Sequence, residues 1–98
     1  MSYHATSNWN DVNELKCLII YKKLDKVGFP YGMRMKLCKE ICKDTGLEAR
    51  NISAKVGNFR TVAGEKNSNP SRNTEKIYQK YNKYSIDELN LIIKEKNI

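Results

Sequence analysis

Three lysines spaced three and four residues apart, Lys36, Lys39 and Lys43, are the first residues here whose type and placement imply a chemistry. On a helix that spacing sets their ammonium groups along one side, opposite Met33, Leu37, Cys38, Ile41 and Cys42. A ridge of cations neutralises phosphates, giving affinity that falls with salt and carries no choice of sequence. The next stretch offers a different chemistry. Arg50, Asn51, Ser53, Ala54 and Asn58 combine two side-chain types that bond purine edges in bidentate fashion with small residues that let a helix come close to bases. Lys55 and Arg60 add two cations to the same stretch. The plainer reading of both sets is a solvated lysine-rich surface beside an ordinary polar helix face.

Other reactive residues point away from catalysis. Cys17, Cys38 and Cys42 are an odd number of thiols in a chain with no evident signal peptide or long apolar segment, so a reducing cytoplasm is expected. Cys38 and Cys42 stand four apart, a spacing that can share a metal. The only histidine is His4 and no second ligand pair exists, so structural thiols are expected, with no metal and no cofactor. Tyr78, Tyr81 and Tyr84 have two readings, a stacking platform for exposed bases or core packing beside Ile77, and their helical spacing favours the core. Eleven acidic residues are scattered without a motif, and neither a Ser/His/acid set nor a glycine-rich phosphate loop occurs. An enzyme is not expected.

These residues have to be positioned by a short chain. Ninety-eight residues suit one domain, and 40% hydrophobic with 30% charged residues is the balance of a folded protein. The formal charge of +7 is concentrated in the middle, where residues 22–60 hold ten basic and four acidic side chains. Such a centre favours nucleic acid or an acidic protein surface.

The periodicities predict an all-α fold, a bundle of four to five helices. Residues 1–8 read as a flexible lead-in and 9–98 as one helical domain, with Trp9 as a lid on the first helix. From Asp11 to about Leu24, apolar residues cover two sides, Val12, Leu15, Leu18 and Ile19 on one and Cys17, Ile20, Tyr21 and Leu24 on the other. Such a helix is either central to the bundle or half of a homodimer interface. A loop at Asp25–Gly32 precedes a helix at Met33–Thr45, which Gly46 ends. A third helix spans Glu48–Phe59 and buries Ile52, Val56 and Phe59. Gly57 inside it implies a close approach or a helix end. The Gly/Asn/Ser-rich stretch Asn58–Pro70 reads as a loop. A short helix starts near Asn73 or Thr74, and a last one begins at a capping box formed by Ser85 and Glu88.

Two helices joined by a glycine turn, over about 33–59, make a helix-turn-helix-like unit, in which the second helix enters the major groove and the first lies across the backbone. The run from Trp9 through Tyr21-Lys-Lys-Leu24, Leu37-Cys-Lys-Glu-Ile41-Cys-Lys-Asp-Thr-Gly46, Asn51-Ile-Ser-Ala-Lys-Val-Gly-Asn-Phe59, and Ile77-Tyr78 with Tyr81 resembles the amino-terminal region of HNH-type restriction endonucleases. The likeness spans about Trp9–Leu89, with its strongest piece at Ile52–Phe59. In that family the region precedes the nuclease domain and is assigned DNA contact, so the resemblance implies a DNA-binding module. Two departures qualify it. No HNH nuclease is expected with it, since His4 alone cannot furnish one, which implies binding without cleavage; and Thr45-Gly46-Leu47-Glu48 replaces the family's basic turn.

Two functions follow. One is a non-catalytic DNA-binding module, a regulator or a detached targeting domain, working on duplex DNA and possible as a homodimer. The other is a phage or mobile-element interaction protein that inhibits a bacterial nuclease or immunity complex. No membrane partner is expected.

Overall fold

The Asn10 side chain begins the ordered chain by accepting a hydrogen bond from the Asn13 amide at 2.8 Å, which satisfies one of the orphan donors at the start of a helix. Asp11 and Glu14 follow in the first turn, with Lys23 and Lys26 in the last, an arrangement that suits the helix dipole. This helix, α1 (Asp11–Lys26), belongs to a computed structural model that describes residues 9–64 and 72–96. The predicted lead-in over 1–8, with His4, and the end of the predicted Asn58–Pro70 loop lie outside the described residues.

All regular structure among the described residues is helical. After α1 come α2 (Met33–Glu40), α3 (Cys42–Thr45), α4 (Ala49–Val62), α5 (Arg72–Tyr81) and α6 (Ile86–Lys96). The all-α expectation therefore stands, with six helical segments rather than four or five. Helix α1 is central. It packs against α2, α4, α5 and α6, which explains its apolar residues on two sides: Leu15, Cys17, Leu18 and Leu24 are all fully buried. The chain covers both faces of α1 itself.

Two boundaries differ from expectation. The helix predicted as Met33–Thr45 is interrupted at Ile41. There the Cys38 carbonyl accepts the Ile41 amide at 3.3 Å and the Cys42 thiol at 3.3 Å, a tightened turn that ends α2 and starts the single turn α3. Thr45 then holds the corner from inside. Its hydroxyl donates to the Ile41 carbonyl at 2.8 Å and accepts the Leu47 amide at 3.2 Å, while the buried Asn13 amide group donates to the Thr45 carbonyl at 3.2 Å. Gly46 takes the left-handed conformation, φ 72°, as the predicted helix end requires. The second difference is at α4, which continues through Arg60, Thr61 and Val62. Fully buried Phe59 anchors that extra turn to the core.

Helix α6 starts as predicted. The Ser85 amide donates to the Glu88 carboxylate at 2.9 Å and the Glu88 amide to the Ser85 hydroxyl at 3.1 Å, the reciprocal bonds of a capping box. The Ser85 backbone amide, and after it the Ser85 side chain, favours the charged carboxylate and holds Glu88 below the ordinary carboxylate range. The Lys22 ammonium, whose partial burial pulls its pKa down, donates to the Asn82 carbonyl and so ties α1 to the turn before α6.

Candidate nucleic-acid interface

Lys36, Lys39 and Lys43 are all exposed, and none of them forms an ion pair among the described residues. The break at Ile41 divides them: Lys36 and Lys39 ride on α2, and Lys43 on α3. The acidic residues of this stretch, Glu40 and Asp44, line a groove with Lys16 and Lys23 of α1 and Asn90 of α6. Cations of α1 thus share the groove with those carboxylates.

Helix α4 sorts its residues by angle. At about 100° per residue, Arg50, Asn51, Ala54 and Asn58 fall within one arc, opposite Ile52, Val56 and Phe59. The three core residues are fully buried. Arg50, Asn51 and Ala54 are exposed and Asn58 is half-buried. The Arg50 guanidinium pairs with Glu48 at 2.7 Å, both side chains standing well out in solvent. A surface pair of this kind contributes only about 0–1 kcal/mol, so a stronger acceptor displaces it.

Ser53 and Gly57 lie at the edge of that arc, and α2 covers them. Arg34 Nε donates to the Ser53 hydroxyl at 2.9 Å, and Nη2 donates to the Ser53 backbone carbonyl. A Cβ on Gly57 would stand 2.9 Å from Arg34 Nη2, closer than a carbon and a guanidinium nitrogen pack. The close approach that Gly57 implies is therefore made by Arg34 of α2. Ser53 holds α2 to α4 through its side chain and its carbonyl.

Lys55 also turns inward. Its ammonium lies 3.2 Å from Glu14 Oε1, with the lysine side chain 14% and the glutamate 1% exposed. It donates to the Thr74 hydroxyl at 2.9 Å and stands 4.7 Å from the centre of the Trp9 ring. Thr74 reaches Glu14 Oε1 at 3.3 Å, and the Asn73 amide donates to Glu14 Oε2. This buried network joins α1, α4 and α5, and it removes Lys55 from the outward-facing cations. Arg60, at the end of α4, lies over the Phe29 ring with its guanidinium carbon 4.0 Å from the centroid.

The other candidates serve the core. Cys17 and Cys38 are buried free thiols, and Cys42 is half-buried. Burial pushes the Cys17 and Cys38 thiols up, so both are neutral at physiological pH. Tyr81 is buried, while Tyr78 and Tyr84 pack partly against the core. Trp9 packs there too, as the lid that its position predicts. No helix of the described residues is long and apolar enough to cross a membrane.

Sequence reasoning did not single out Arg34 or Glu14. A glycine inside a helix was the signal for Arg34, because something has to occupy the space a side chain would take. For Glu14 the signal was an acid among apolar residues on both sides of α1. No family model, curated protein or solved structure matches this chain.

Proposed function

We propose that the protein is a non-catalytic module that binds duplex DNA. The α2–α3 segment lies along the phosphates through Lys36, Lys39 and Lys43, and the outer arc of α4 meets the major groove through Arg50, Asn51, Ala54 and Asn58. The observation that carries this reading is the pairing of exposed, unpaired lysines on one segment with a polar arc, exposed at Arg50, Asn51 and Ala54, on the helix that α2 packs against. This is the arrangement a helix-turn-helix unit uses. The resemblance of Trp9–Leu89 to the amino-terminal region of HNH-type endonucleases supports the same reading. Lys55 and Ser53 act as supports of α4. Arg60 lies beyond the groove-facing arc.

Titration of a labelled duplex between 50 and 200 mM salt tests the proposal. Binding should weaken with salt, and replacing Lys36, Lys39 and Lys43 by glutamine should flatten the log–log slope by up to about 0.9 for each phosphate no longer neutralised. The triple variant should lose affinity equally on all sequences. Arg50→Ala should relax preference at one base position. Absence of binding at low salt, with an acidic protein partner retained, overturns the proposal in favour of an inhibitor of a nuclease or immunity complex.

A further inference from the structure

The loop between α1 and α2 contains Phe29, the one non-glycine residue with a positive φ among the described residues, at 55°. A bulky side chain adopts that conformation only where its surroundings hold it there. Here the Phe29 amide donates to the Leu24 carbonyl at 2.8 Å. Its ring meets Tyr21 at a centroid distance of 6.0 Å and lies beneath the Arg60 guanidinium. Tyr31, two residues on, is 106% exposed, the most exposed large apolar side chain described.

Phe29, Pro30, Tyr31, Gly32, Arg34 and Arg60 line one cleft of about 220 Å³. Two guanidiniums line it, and among the described residues no carboxylate does. Arg34 is fixed there by Nε and Nη2, which bond Ser53. Its other terminal nitrogen, Nη1, has no protein partner among the described residues, and a planar guanidinium held in this way presents its remaining donors in a set direction. The cleft also sits at the start of α2, where Gly32 provides no side-chain cap, and the helix dipole there adds to the positive potential.

We infer that this cleft holds one unpaired nucleotide, with the phosphate between Arg34 and Arg60 and the base against Tyr31. Each residue of a single strand carries a phosphate charge beside a flat π-face, and an aromatic ring at the rim of a cationic cleft matches that pair of groups. A base inside a duplex has no free face for Tyr31. The site therefore takes a strand end, a displaced base or a single-stranded run, and it stands whether or not the duplex reading holds.

The test uses the full chain, labelled with 15N, and titrates it with a thymidine tetranucleotide, a uridine tetranucleotide, inorganic phosphate and phosphotyrosine. The tetranucleotides should shift the Arg34 and Arg60 Nε signals and the Tyr31 amide. Tyr31→Ala, which removes a side chain that supports no packing, should weaken tetranucleotide binding about tenfold and leave inorganic phosphate unchanged. Arg60→Gln should weaken both, and Arg60→Lys, which keeps the charge over Phe29, should restore phosphate binding in part. Tighter binding of one tetranucleotide supports the site and assigns its source to DNA or RNA. The same shifts should persist in the Lys36/Lys39/Lys43 glutamine variant, so failure of the duplex reading leaves them intact. Unchanged tetranucleotide affinity in Tyr31→Ala, shifts confined to the three lysines, or tighter binding of phosphotyrosine would overturn the inference.

Discussion

At the scale of single residues, Lys55 and Gly57 answer to partners far from them in the chain. The Lys55 ammonium balances a Glu14 carboxylate that is fully buried. Removing one member of such a pair leaves an uncompensated charge in the core, at a cost of about 3–5 kcal/mol. Lys55→Met should lower the unfolding free energy from urea titration by that measure, and adding Glu14→Gln should recover part of the loss. If Lys55→Met leaves stability unchanged and instead reduces the salt slope of duplex binding, Lys55 faces solvent after all. Gly57 makes the opposite kind of prediction. Alanine in a helix interior is worth about 1 kcal/mol over glycine, yet the new methyl would crowd Arg34 Nη2. Gly57→Ala should therefore bring no gain in unfolding free energy while Arg34 is present, and should bring it in an Arg34→Ala background. A full gain with Arg34 in place would show that α2 does not press on α4 there.

Among the elements, the two helix starts that show side-chain caps among the described residues are the most local. Ser85→Ala should cost about 1 kcal/mol, the usual value of an N-cap, read from thermal or urea unfolding. The same box sets a pH dependence. Because Glu88 has its pKa lowered in the folded state, the unfolded chain takes up its proton first as pH falls. The stabilisation from Glu88 is present above about pH 4–5 and is lost as pH falls through the folded value. Glu88→Gln should remove that part of the acid sensitivity, whereas Ser85→Ala, which keeps the backbone amide that is the larger cause, should remove only a portion of it; an unchanged profile in Glu88→Gln would separate Glu88 from the cap. The break between α2 and α3 could not be read from spacing, since Met33–Thr45 keeps an apolar arc throughout. It depends on which donors reach the Cys38 carbonyl and on Asn13 of α1 holding the Thr45 carbonyl. The end of α4 was hidden for a similar reason. Asn58 and Gly57 weaken a helix locally, and the burial of Phe59 outweighs them.

For the whole molecule, the placement of α1 removes one reason to expect a dimer. A helix with apolar residues on two sides needs two neighbours, and four helices of the same chain supply them. The large apolar side chains left exposed among the described residues are few, namely Val27, Tyr31, Met35 and Leu91. Light scattering at micromolar concentration should accordingly give the 11.4 kDa of one chain. A dimer mass would overturn this expectation, and paired half-sites on DNA would then follow. Charge acts at this scale as well. The net +7 guides encounters with polyanions over a distance that salt shortens.

Local signals were enough to determine the helical class, the capping box at Ser85, the glycine stop at Gly46, the core stripe Ile52, Val56 and Phe59, and the exposure of Lys36, Lys39 and Lys43. Each depends on residues within one or two turns of one another, where period and propensity act directly. Tertiary structure alone decided the rest of the site. Of the seven candidates on α4, it kept Arg50, Asn51 and Ala54 in the open. It turned Lys55 toward Glu14, set Ser53 under Arg34 and placed Arg60 over Phe29. These outcomes depend on pairs at least 19 residues apart, and burial makes an unpaired charge or a vacant space too costly to leave. Lysine, serine and glycine carry no mark in the sequence of which partner will meet that demand.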